Sequence, residues 1–199
     1  MSVSRLVLGS IVTAIVATTM GCKVEVSTKT RFTAPDVVQT DAEEWTGQPI
    51  KIDIQGVGVA VNGGINVVAK TDATKVTANA RFLAMAFEKP DADQSIVDAK
   101  ATFKITHTAD QILIECGHGG THGESNGGES GCELVNIDVP AGTADQPLDL
   151  EVLGGNGTMT LQLRNAVLEN LGTNNQSDIS AEVPATVGGT VSLVSEQSG

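Results

Sequence analysis

The sequence predicts an all-β protein built of short stacked strands, and three observations carry that expectation. Apolar and polar residues alternate at period two through most of the chain after Trp45. Glycine or asparagine punctuates the runs at nearly every turn. The core must also be filled by Val, Ile, Leu and Ala, because the 199 residues include no Tyr, one Trp and four Phe. That composition suits strands better than aromatic clusters.

In chain order, Ile50, Ile52 and Ile54 alternate with Lys51 and Asp53, and Val57, Val59 and Val61 follow Gly56. Ile65 and Val67 come after the Gly63-Gly64 turn, and Val76, Ala78 and Ala80 continue the series. Residues 82–87 are apolar on both parities, which fits a buried strand or the start of a short helix equally. Pro90 breaks the chain, and Asp91 to Ser95 can cap one short helix near 91–96. Val97, Ala99, Ala101, Phe103 and Ile105 then alternate with charged and hydroxyl residues and read as a strand, so that 97–116 reads as a β-hairpin ending in Ile112, Ile114 and Cys116. His107 falls at its turn.

Beyond residue 131 come Val135, Ile137 and Val139, ended by Pro140; Leu148, Leu150 and Val152; Met159, Leu161 and Leu163; a segment around Val167 to Leu171; Ile179, Ala181 and Val183; and Val191 with Leu193. Leu150 to Leu161 and Leu168 to Ile179 are steps of 11 residues, and Ile179 to Val191 is a step of 12. A recurring step of that size is a repeat signal. Spacing alone leaves a meander, a sandwich and a solenoid open.

Residues 1–22 set the compartment. Arg5 precedes an uncharged apolar run from Leu6 to Ala17, short for a membrane span and of the length of a signal-peptide core. Thr19-Met20-Gly21-Cys22 then resembles the lipobox of bacterial lipoproteins, in which the signal is cut before a cysteine that becomes acylated. The resemblance implies a signal peptide over 1–21, lipid such as palmitate on Cys22, and a membrane partner reached through that lipid. Lys23, in place of an acidic residue after the cysteine, points by the sorting rule of enteric lipoproteins to the outer membrane. Residues 22–44 are polar, with little apolar periodicity, and read as a flexible tether ahead of a single domain over 45–199.

Cleavage after Gly21 leaves 178 residues, one domain's worth, with a net charge of −13, since Arg5 is the only charged side chain removed from a chain of net −12. That charge repels nucleic acid and anionic head groups, so no nucleic-acid partner is expected. With Cys22 acylated, Cys116 and Cys132 remain as an even pair in an oxidising compartment and are expected to form a disulfide. They bound a loop, 117–131, with seven glycines in fifteen residues, read as a solvated excursion stapled at its base. Closing a loop of this length contributes about 3 kcal/mol by chain entropy.

Asn174-Asn175-Gln176-Ser177-Asp178-Ile179-Ser180-Ala181, followed by Gly189-Thr190-Val191-Ser192-Leu193, resembles a degenerate Ser-Gly-Asp-Val-x-Val-x repeat. That repeat marks the bacterial "putative adhesin" proteins of unknown function, and Trp45-Thr46-Gly47 with Gly63-Gly64 fits the way they begin. The resemblance spans roughly 45–199 and implies a β-solenoid, parallel β-helix-like, with a β-sandwich as the alternative. It implies an adhesin-like binding or structural role toward a protein or glycan partner, and it brings no catalytic residues. Ser177 stands where the repeat has glycine, and the cysteine-bounded loop is no general mark of it.

His118 and His122, with Glu124 and Glu129 nearby, are the residues able to offer nitrogen and oxygen ligands to a divalent metal, which makes a metal-binding module the alternative function. Four glycines within 117–123 forbid the helix that would set the two histidines on one face, so a solvated loop is favoured. No Cys-His pairing or His-Glu-x-x-His occurs, and the expectation is a non-enzymatic protein without a cofactor.

Overall fold

A computed structural model describes residues 28–55, 64–123 and 129–196. The strand expected over Val57 to Val61, the signal peptide, Cys22 and Glu124 lie outside these residues. Along the described chain run β1 (Thr30–Thr40), β2 (Ile50–Ile54), β3 (Gly64–Lys70), β4 (Thr77–Ala86), α1 (Lys89–Thr102), β5 (Lys104–His107), β6 (Ile112–Cys116) and β7 (Ser130–Pro140). Then follow β8 (Leu148–Gly154), β9 (Thr158–Gln162), β10 (Leu168–Asn175), β11 (Ile179–Glu182) and β12 (Val191–Ser195).

The strands form two six-stranded mixed sheets, neither closed into a barrel. One, sheet A, has the order β1-β4-β7-β3-β9-β11, and the other, sheet B, the order β12-β10-β8-β2-β6-β5. Alternation puts Ile50, Ile52 and Ile54 of β2, Ile65 and Val67 of β3, Ile112 and Ile114 of β6 and Leu150 and Val152 of β8 into one shared core, each at most 1% exposed. The two sheets therefore pack in a sandwich-like way, inner faces together.

From β7 onward the chain passes alternately between the sheets. Leu150, Leu171 and Val191 lie opposite one another in parallel register, and Met159 lies opposite Ile179. From 150 to 171 and from 171 to 191 the steps are 21 and 20 residues. The 11- or 12-residue period of the sequence is thus half of a structural step that returns to the same sheet. Sequence order and spatial order agree only from β8 to β12. The β2 and β3 pair sits between β6 and β7 on one side and β8 and β9 on the other, so 45–199 is not one uniform stack.

Two expectations change and one open alternative is decided. The tether does not extend to residue 44: β1 pairs antiparallel with β4, from Thr30 opposite Ala86 to Thr40 opposite Thr77, and the β-domain includes residues from Thr30 on. Phe32, Ala34 and Val37 pack against the core, which the polar average of the segment conceals. Residues 82–86 complete β4 and are strand.

Of the strand expected over 97–105, residues 97–102 are instead the second half of α1, which runs well past 91–96, while Lys104 and Ile105 open β5. Pro90 and Asp91 in the first turn and Lys100 in the last suit a helix start and end. Ala92, Ser95, Ile96 and Ala99 are buried at the i, i+3, i+4, i+7 spacing of one helix face, while Val97 is 57% exposed. Burying that face against β4 and β7 overrides the alternation. Phe103 ends the helix edge-to-face on Phe82, with ring centroids 5.9 Å apart. The hairpin is accordingly shorter, β5 with β6, from Lys104 opposite Glu115 to His107 opposite Ile112.

Candidate binding face

The outer face of sheet B is crossed by rows of polar side chains contributed by strands distant in sequence. Parallel register sets Lys51 of β2 beside Glu151 of β8, Glu151 beside Gly172 of β10, and Gly172 beside Ser192 of β12. Lys51 Nζ lies 3.2 Å from Glu151 Oε2. In the next row Asp149 faces Asn170, whose Oδ1 accepts the Thr190 N–H at 3.1 Å. Gly189 lets that turn close, since a Cβ there would stand 2.1 Å from the Glu169 carbonyl oxygen.

Between these rows lies an open trough of about 410 Å³, with Lys51, Glu151, Asn170, Thr190 and Ser192 around Gly172. A Cβ on Gly172 would meet nothing nearer than Glu151 Cγ at 3.9 Å, so the fold does not require glycine there. The missing side chain leaves the trough open, and glycine inside a strand often marks where a ligand or another backbone comes close. Carboxylate, ammonium, amide and hydroxyl groups suit reversible hydrogen bonding to a polar partner. Sequence reading found none of this, because the row is assembled from positions between 51 and 192 and no local pattern links them.

The cysteine-bounded loop is placed differently from expectation. Cys116 and Cys132 are joined, Cα–Cα 6.3 Å, but they belong to β6 and β7 and so tie sheet B to sheet A across the core rather than joining neighbouring strands. Residues 117–123 lie on α1 in place of extending into solvent. Gly117 N–H donates to Thr102 Oγ1 at 2.8 Å, Ser95 Oγ donates to the Gly120 carbonyl at 3.2 Å, and His122 Nε2 sits 2.6 Å from Asp98 Oδ2. A Cβ on Gly119 would stand 2.1 Å from the Ser95 carbonyl, and one on Gly120 2.2 Å from Asp98 Oδ2. Glycine is abundant here because the loop backbone touches the helix. The hydrogen bond from His122 holds the Asp98 carboxyl below its ordinary 3.8.

The described residues among those considered for metal, His118, His122 and Glu129, do not converge. His118 Nδ1 faces the Ser130 carbonyl at 3.3 Å, His122 is engaged by Asp98, and Glu129 pairs with Lys29. Among the described residues no group of three or more His, Cys, Asp or Glu side chains could hold a metal ion, so the loop lends the metal-module alternative no support.

His107, expected to be an ordinary turn residue, is nearly buried and joins β5 to the end of β1. Its Nδ1 lies 2.7 Å from Asp41 Oδ2, and its Nε2 lies 3.3 Å from Gln48 Nε2. The amide donates, so Nε2 accepts and the proton sits on Nδ1, a tautomer assigned from the network. Asp41 Oδ1 also accepts the Glu43 N–H at 3.2 Å. The cluster is satisfied within itself and closes the β1/β5 end of the sheets.

No protein-family model matches the chain, and no curated protein matches it. Among solved structures it is similar to the crystal structure of a "putative cell adhesion protein" from Clostridium sporogenes, at 14% identity with a TM-score of 0.43. That likeness covers 72% of this chain and 59% of the other, so the chain spans less than two thirds of that protein's length.

Proposed function

We propose that the chain is a non-enzymatic, lipid-anchored protein of the bacterial cell envelope whose β-domain presents the outer face of sheet B for adhesin-like binding. Residues 148–195 are read as a β-solenoid with two strands per turn, extended at its other side by β1 to β7. The observation that carries the reading is the trough at Gly172, an open depression edged by charged, amide and hydroxyl side chains on a face held rigid by five parallel strands. Its ligand is a polar protein or glycan surface, engaged through Lys51, Glu151, Asn170 and Ser192. The anchor is lipid on Cys22, and Lys23 favours the outer membrane. More than one acyl chain is expected, because a single chain gives only marginal membrane binding.

Metabolic palmitate labelling of wild type and Cys22→Ala tests the anchor: wild type takes up label and the variant does not, and equal labelling defeats it. For the binding face, cells displaying wild type or Gly172→Leu are compared for adherence to immobilised glycans and matrix proteins. Leucine fills the trough without a backbone clash, so adherence falls while the domain stays folded. Undiminished adherence assigns binding to another surface.

A further inference from the structure

The two ends of the sheets differ in how their edges are protected. At one end β1 carries Arg31, Pro35 and Asp36 and a register shift between Ala34 and Val37, all devices that blunt an edge. Beside it β5 has four residues beginning with Lys104, and Gln39 caps the chain there, donating to the Phe103 carbonyl at 2.6 Å and accepting the Ile105 N–H at 3.1 Å. At the other end β12 has neither charge, proline nor bulge, and all five of its residues are exposed. Val191, Leu193 and Val194 are 40%, 49% and 40% exposed.

The backbone of β12 is also unspent on one side. The Thr190 carbonyl accepts the Leu171 N–H at 2.8 Å, and Glu196 N–H donates to the Asn175 carbonyl at 2.8 Å, so the even-numbered residues serve β10. In a parallel ladder the residues between them turn N–H and C=O the other way, and Val191, Leu193 and Ser195 therefore face the open edge. β11 repeats this on sheet A: the Asp178 and Glu182 carbonyls serve β9, leaving Ile179 and Ala181 turned outward.

We propose that this edge pairs with the same edge of a second copy, β12 antiparallel to β12 about a two-fold axis. Leu193 then meets Leu193 and Val191 meets Ser195, and each facing pair exchanges two N–H···O bonds, a self-complementary arrangement. Charge selects the site and the partner. In a chain of net −12, residues 183–195 include no charged side chain, so two copies repel less along β12 than over the rest of their surfaces, the nearest carboxylates being Glu182 and Glu196 at its two ends. Pairing also covers the exposed parts of the apolar side chains of Val191 and Leu193. The β12 end lies opposite the β1 end, where the described chain begins, so anchored copies would present it away from their tethers. The pairing itself does not depend on the anchor.

The test uses the full-length chain in membranes. Leu193→Cys should give a reducible dimer under mild oxidation, while wild type and Val97→Cys, an exposed control on α1, should not. In detergent, wild type should sediment as a dimer, and Leu193→Lys, which sets like charges opposite each other, should weaken it roughly tenfold or more. Thermal unfolding of Leu193→Lys should match wild-type monomer, because the residue is half exposed. A monomeric wild type, equal cross-linking through Val97→Cys, or an adduct with a different protein in place of the dimer overturns the proposal. Loss of palmitate label with the dimer intact would refute the anchor alone.

Discussion

Cys116 and Cys132 stand on opposite sheets with Cα atoms 6.3 Å apart, so one covalent bond crosses the core at the base of the loop whose residues 117–123 lie on α1. Both cysteines are about 1% exposed. Reductant therefore has to wait for local opening. We expect alkylation without reductant to modify neither residue in the folded protein, and reduction or the Cys116→Ala/Cys132→Ala variant to lower unfolding free energy by about 3 kcal/mol. Calorimetry of the two forms checks this, and equal melting temperatures would mean that the bridge is incidental to the fold.

The loop glycines divide into required and optional positions. Gly119→Ala drives a methyl to 2.1 Å from the Ser95 carbonyl, backbone that cannot step aside, and should cost about 1–3 kcal/mol. Gly172→Ala meets only a flexible side chain at 3.9 Å and should be neutral or stabilising by a few tenths, up to about 1 kcal/mol, since glycine weakens a strand. Paired denaturant titrations measure both, and a costly Gly172→Ala would show that the trough is structural.

His122 and Asp98 give the loop an acid-sensitive contact. The histidine hydrogen bond lowers the Asp98 carboxyl, so the contact contributes stability above the ordinary 3.8 of an unfolded aspartate and loses it as pH falls through the lower, folded value. Asp98→Asn should therefore melt lower than wild type near pH 5, with the gap closing below pH 3.8. Melting curves from pH 5 to pH 2 read this directly, and a gap that persists at the acid end assigns the loss to something other than titration.

The extent of α1 is open to mutation. Ile96 is 5% exposed and Val97 57% exposed, the pattern of a helix face and not of a strand, in which Val97 would be buried with Ala99 and Ile96 would face outward. Ile96→Ala should cost about 2–4 kcal/mol by leaving a cavity against the sheet. Val97→Ala should cost less than about 0.5 kcal/mol, as expected of an exposed site. The reverse ranking would restore the strand.

What the sequence determined by itself is local. Period-two alternation and short reach are enough to place Ile50, Ile52 and Ile54, or Leu148, Leu150 and Val152, on inner faces, because a strand of one parity has one way to bury its apolar side. The same reasoning misread 97–102, since Val97, Ala99 and Ala101 alternate, yet Ala92, Ile96 and Ala99 also lie on one helix face, and only β4 and β7 decide which pattern is buried. It left 82–87 open, and it missed β1, whose sparse apolar residues matter only once β4 lies beside them. Partner choice belongs to the tertiary structure as well. The 11-residue step fits strands in one sheet or in two, and packing alone divides it between two sheets. Gly172 becomes a trough and Leu193 an open edge through neighbours far along the chain, and no window of sequence contains both sides of such a contact.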